Sequence, residues 1–102
     1  MEQVKILGNT ENVLKVALFG DIDLGNAENF YAEIKSAYNT EPADILFDCE
    51  GLNFIDSTTL GTFVKILKEV QANGHMVRLY NLQPKIKKLF LICSLDTIME
   101  IA

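Results

Sequence analysis

Three hydroxyl residues stand in a row behind an aspartate, Asp56-Ser57-Thr58-Thr59, inside the stretch Asn53-Phe54-Ile55-Asp56-Ser57-Thr58-Thr59-Leu60-Gly61. A side-chain hydroxyl is a natural acceptor of a phosphoryl group, so its surroundings decide whether that chemistry is on offer. Leu60, Phe63, Val64, Leu67 and Val70 recur at helical spacing, which predicts a helix beginning near Ser57 with Asp56 as its N-cap. The first N–H groups of a helix lack intrahelical acceptors and carry the positive end of the macrodipole. A phosphate added there meets free donors. The same Asp-Ser-Thr run also reads as a good helix cap and nothing more, and spacing by itself does not separate the two.

Other chemistries are poorly represented. His75 is the only histidine, which argues against a His-based metal site or a Ser-His-Asp triad. Neither G-x-x-x-x-G-K-[ST] nor G-x-G-x-x-G occurs, so no familiar glycine loop can cradle a nucleotide and ATP would arrive with another protein. Asp21, Asp23, Asp48 and Asp56 could gather as a magnesium-binding cluster around a phosphotransfer receiver based on Asp48. The residues after the fourth predicted strand, Asn81-Leu82-Gln83-Pro84-Lys85, offer only a weak lysine for such a receiver, and aspartates at loop starts are usually turn formers and caps. No nucleophile stands with a base beside it, which favours a substrate over an enzyme, with no metal and no cofactor. Cys49 and Cys93 lack C-x-x-C spacing and adjoin apolar residues, predicting two buried free thiols.

The chain of 102 residues is expected to form a single domain, residues 1–102, with a core that needs no staples. Hydrophobic residues are 49% and charged residues 23%, as in an ordinary soluble domain. The apolar runs Ile45-Leu46-Phe47 and Leu89-Phe90-Leu91-Ile92-Cys93 are far shorter than the roughly 20 residues that span a bilayer, and the N-terminus lacks a signal-peptide pattern. No membrane insertion and a cytoplasmic location are expected. Nine basic against fourteen acidic residues, a formal charge of −5, argue against nucleic acid and for a protein partner. The acids crowd the middle of the chain, from Asp21 to Asp56, as a docking face or simply a solvated one.

The elements that position these residues follow from periodicity and punctuation. Val4–Leu7 and Val13–Phe19 read as a hairpin across the turn-forming Gly8–Asn12, and Gly20 breaks the pattern. Ala27, Phe30, Ile34, Ala37 and Tyr38 mark a first helix that stops near Glu41-Pro42. Asp44–Cys49 reads as a short central strand covered on both faces. The helix from Ser57 ends near Ala72-Asn73-Gly74, a strand follows over His75–Tyr80, and Pro84 opens a third helix over Gln83–Ser94 with Ile86, Leu89, Phe90 and Cys93 on its apolar face. The tail, residues 97–101, fits either an edge strand or a helical turn. The fold class is α/β, order β-β-α-β-α-β-α, with a mixed sheet in which an N-terminal antiparallel hairpin precedes parallel strands and helices pack against it. Any site then lies on the loops Gly20–Asn26 and Asn53–Thr59.

Gly20-Asp21-Ile22-Asp23, Phe54-Ile55-Asp56-Ser57-Thr58-Thr59-Leu60-Gly61, Ile86-Lys87-Lys88-Leu89-Phe90 and Leu95-Asp96 together resemble the STAS domain of bacterial anti-sigma factor antagonists, over nearly the whole chain. The D-S-[ST]-x-L-G segment is the specific part. The resemblance implies a partner switch: the unphosphorylated antagonist binds an anti-sigma factor with serine kinase activity, phosphorylation releases it, and a PP2C-type phosphatase restores binding. It further implies phosphorylation at Ser57 or Thr58, with Ser57 slightly preferred, and partner contacts at Asp21, Asp23, Asp56, Ser57, Thr58, Thr59, Leu60 and Gly61. Thr59 and Ser94 depart from the family, where glycine is common, so Thr59 could narrow access to the acceptor or supply a third hydroxyl. STAS domains also serve as accessory subunits of transporters and signalling complexes, and a constitutive, unphosphorylated subunit is the alternative reading. Homodimerisation is left open. A phosphate at the helix start would add roughly 1.5 to 2 negative charges beside an acidic face and cost a partner about 3 kcal/mol, roughly a hundredfold in affinity.

Overall fold

The hairpin is longer and tighter than its sequence pattern suggests. In the computed structural model, which describes residues 1–102, β1 (Val4–Thr10) and β2 (Val13–Ile22) run antiparallel as far as Thr10↔Val13. The turn is only Glu11-Asn12, both at positive φ (56° and 63°), the conformation that matches the twist of a two-residue hairpin. Gly8, expected in the turn, instead marks an irregularity of β1 where the register shifts after Ile6.

Helix α1 (Ala27–Thr40) follows, then β3 (Asp44–Ile55), α2 (Ser57–Ala72), β4 (Val77–Tyr80), α3 (Pro84–Ile92), a 3-10 turn over Leu95–Thr97 and a two-residue β5 (Glu100–Ile101). The sheet order is β1-β2-β3-β4-β5, with β1 antiparallel and the rest parallel, so β3 is central as expected. The tail supplies both of its alternatives, the helical turn and the edge strand, and Arg78 Nε meets Glu100 Oε2 at 2.8 Å where β4 and β5 pair.

Two expectations for the strands are corrected. β2 does not end before Gly20 and β3 does not end at Cys49; they continue side by side to the pair Ile22↔Ile55 through two register shifts. Gly20 lies within this extension at φ +62°, a left-handed conformation that costs glycine least. Gly51 is required for a different reason. A Cβ there would come within 2.5 Å of the Phe19 ring and 3.0 Å of the Leu18 carbonyl.

The second correction concerns coverage of β3. Ile45, Phe47 and Cys49 are buried while Leu46 and Asp48 between them are only half-buried and Glu50 is exposed, so β3 is covered on one face, not two. All three helices contribute to one continuous core on that face. Its centre is aromatic: Phe63 of α2 meets Phe30 of α1, Phe47 of β3 and Phe90 of α3 at centroid distances of 5.2, 5.3 and 5.4 Å, in the tilted and edge-on arrangements that rings prefer. His75 lies just before β4, its Nδ1 2.6 Å from the Tyr38 hydroxyl at the end of α1. No helix is long and apolar enough to cross a membrane.

The cysteines differ from each other. Cys49 is buried, and burial, reinforced by the neighbouring Asp48 charge, pushes its thiol up to about 12. Cys93, expected to be buried as well, is exposed, because α3 ends at Ile92 and only Ile86 and Phe90 of its apolar residues reach the core.

Candidate functional site

Asp56 leaves β3 in an extended conformation (φ −119°, ψ −175°) and caps α2. Its Oδ1 accepts the Thr59 N–H at 3.0 Å, the usual N-cap bond, and Leu60 N–H donates to its carbonyl at 3.1 Å to open the helix. Its Oδ2 reaches out of the helix altogether and accepts the Leu24 N–H at 2.9 Å. The carboxyl is held below its ordinary range, chiefly by the Thr59 amide; burial pushes it up as the next largest effect, and the Leu24 amide, the Thr59 hydroxyl and the Thr58 amide outweigh that push.

These bonds bring together the two loops that the sequence singles out. The segment from Asp21 to Asn26 is itself knotted: Asp23 N–H donates to Asn26 Oδ1 at 2.8 Å, Asn26 Nδ2 donates to the Asp21 carbonyl at 2.9 Å, and Gly25 N–H donates to Asp23 Oδ1 at 2.9 Å. Such Asx bonds are the reason Asn and Asp recur in turns. Ser57, Thr58 and Gly61 are exposed, as is Asp21, and Asp23 is half-buried. None of Asp21, Asp23 and Asp56 takes part in an ion pair.

Thr59 and Leu60 do not sit where surface contacts would need them. Thr59 is fully buried and is the only polar residue in the buried core. Its hydroxyl donates to the Ile22 carbonyl at 2.5 Å and lies 3.0 Å from Asp56 Oδ1, so it is an internal fastening and not a third surface hydroxyl. Leu60, 9% exposed, packs into the core because it is the first residue of the apolar stripe of α2. The acids do not gather around a metal either. No three of Asp21, Asp23, Asp48 and Asp56 converge, and Asp48 lies mid-strand in β3, accepting from Glu50 N–H and Asn81 Nδ2.

The structure also places residues at the site that the sequence reading passes over. Between α1 and α2 lies a cleft of about 360 Å³, with Thr58, Thr62 and Lys65 on one wall and Leu24, Ala27, Glu28 and Tyr31 on the other. Leu24, at the loop tip, is 74% exposed, unusual for a leucine held so firmly by its backbone. Tyr31 donates to the Glu69 carboxylate, 2.5 Å from Oε1, and Lys65 Nζ stands 4.2 Å from the centre of its ring. That hydrogen bond, helped by partial burial, pushes the phenol above its ordinary range. Thr58, Thr62 and Lys65 recur at helical spacing, a signal that was available but that only a facing helix turns into a cleft.

Comparison with known proteins agrees with this geometry. The family described as STAS domain matches residues 5–102. The anti-sigma-B factor antagonist of Bacillus subtilis (strain 168) is 30% identical over 92 residues, covering 90% of this chain and 84% of that protein. An anti-sigma F factor antagonist of Lysinibacillus sphaericus is 29% identical over 82 residues, 79% of this chain and 70% of that protein. Among solved structures, the Bacillus cell fate determinant SpoIIAA in its phosphorylated form superposes with a TM-score of 0.75 at 26% identity, covering 97% of this chain and 90% of that one. With the family model matching nearly the whole chain and a curated relative 30% identical over most of it, the chain belongs to the STAS domain family, and the two relatives named here are anti-sigma factor antagonists.

Proposed function

We propose that this chain is an anti-sigma factor antagonist whose docking face, the Asp21–Asn26 loop with the start of α2, binds an anti-sigma factor carrying serine kinase activity and releases it when Ser57 or Thr58 is phosphorylated. A PP2C-type phosphatase resets the switch, and the exchange of partners takes place in the cytoplasm. The observation that carries the reading is the pair of exposed hydroxyls immediately behind the helix-capping Asp56, at the positive end of α2 and beside an acidic loop without ion-pair partners.

The two roles of that location explain how one phosphate can switch binding without unfolding the domain. The helix start tolerates added negative charge, since its amides and dipole favour it. A partner surface shaped for a small hydroxyl and an acidic loop does not tolerate it, because the dianion must be desolvated there among like charges. Ser57 remains the slightly preferred acceptor. Thr58 lines the α1–α2 cleft, so a phosphate on it would also close that cleft.

The test uses the anti-sigma factor kinase encoded in the same genome, purified, with this chain as ligand and as substrate. Incubation with magnesium and ATP is expected to add one phosphate between Asp56 and Gly61, and Ser57→Asp or Thr58→Asp is expected to lower affinity about a hundredfold. Equal affinity for both variants and the unmodified protein would overturn the switch. Stable copurification with a transporter ATPase, indifferent to Ser57→Ala and Thr58→Ala, would establish the constitutive accessory role instead.

A further inference from the structure

Thr59 faces away from any partner, yet three of the bonds that shape the docking face pass through it or through the carboxylate it touches. Its amide donates to Asp56 Oδ1 and its hydroxyl to the Ile22 carbonyl, with Asp56 Oδ1 as neighbour, while Asp56 Oδ2 holds the Leu24 amide. Ile22 is the last residue of β2 and Leu24 the exposed tip of the loop that leaves it. The side chain of Thr59 therefore joins the end of one strand to the cap of the helix that follows the next. Valine has nearly the same shape but cannot make that join. Thr59 is fully buried, so loss of the hydroxyl leaves the Ile22 carbonyl without this donor.

We propose that Thr59 is a positioning residue for partner recognition: by fixing Ile22 and the Asp56 carboxylate in one arrangement, it holds the Leu24 loop in its docking shape before a partner arrives. This rests on the docking role assigned above to the Asp21–Asn26 loop. A loop ordered in advance loses less conformational freedom on binding, so its affinity is higher for the same contacts. The position is distinct from a contact or an acceptor, because Thr59 is fully buried and out of reach of the partner kinase.

Amide hydrogen exchange tests the clasp without any partner. Thr59→Val is expected to speed exchange of the Leu24 amide about tenfold, leave the Phe47 amide of the central strand unchanged, and be reversed in Thr59→Ser, which restores the hydroxyl. The same purified kinase should bind Thr59→Val about tenfold more weakly and Thr59→Ser normally. Should Thr59→Val fail to fold, Thr59→Ala removes the same hydroxyl without placing a second methyl against the Ile22 carbonyl, and must release the Leu24 amide to a similar extent. Unchanged Leu24 exchange in these variants overturns the clasp, and faster exchange with undiminished kinase binding overturns its role in recognition. A kinase that binds no form of the chain counts against the functional reading, while the exchange result still decides the clasp.

Discussion

Asp56 uses one carboxylate for two purposes, closing a helix with Oδ1 and holding a loop with Oδ2. Both depend on its being ionised. Its folded pKa is depressed, so the stabilisation it supplies is fully present above the ordinary carboxylate value of 3.8 and is lost only as pH falls through the lower folded value. The expected outcome is a Leu24 amide that stays protected on acidification to the ordinary carboxylate range and is released below it, with the Asp56 carboxyl titrating below an unstructured aspartate in an NMR pH series. An Asp56 that titrated at or above the ordinary value would contradict the hydrogen bonds described. Thr59 shows the opposite lesson at this scale. A hydroxyl in a run of hydroxyls looks like a surface group, and only its neighbours reveal that it points inward.

At the scale of elements, the extension of β2 and β3 to Ile22↔Ile55 is what lifts Asp56 to the level of the Asp21–Asn26 loop. That extension depends on Phe19 lying across Gly51, where no side chain fits. Gly51→Ala must push aside an aromatic ring and meet a backbone carbonyl. It is expected to destabilise the domain by about 1–3 kcal/mol, the usual range for overpacking, measured by urea denaturation, with the Leu24 loop disturbed as well. A variant as stable as the parent would show that Phe19 swings away freely. The sequence pattern ends both strands too soon for a related reason: glycines and charges at Gly20, Asp21, Glu50 and Gly51 look like loop punctuation, whereas in a sheet with one open face they occupy register shifts and the solvent side.

Taken as a whole, the molecule is a sheet with every helix on one face and its proposed docking loops at one end. Three phenylalanines, Phe30, Phe47 and Phe90, converge on Phe63, so the helix carrying the hydroxyls is anchored at the centre of the core. Phe63→Ala is expected to cost about 3–5 kcal/mol, a large share of the 5–15 kcal/mol typical of such a domain. The lost stability should appear in the denaturation midpoint and in faster exchange along α2 as well as globally. If the midpoint fell by less than about 1 kcal/mol equivalent, the ring cluster would not be the keystone the packing indicates.

Much was legible beforehand. The α/β class, the element order, the antiparallel hairpin, the central third strand and the helix start at Ser57 with Asp56 as cap all follow from local pattern, since hydrophobic period, capping chemistry and turn residues act over a few neighbours. The resemblance carried by D-S-[ST]-x-L-G pointed to the family to which the chain belongs. What the pattern left open or misjudged depends on residues distant in the chain. The burial of Thr59 requires the Ile22 carbonyl, 37 positions away, the exposure of Cys93 requires α3 to end where its packing ends, and the second bond of Asp56 requires Leu24, 32 positions away. Short-range periodicity assigned which residues form helices and strands. Tertiary structure alone decided which hydroxyls face solvent and which is buried, because that is set by where non-neighbouring strands place their carbonyls and amides.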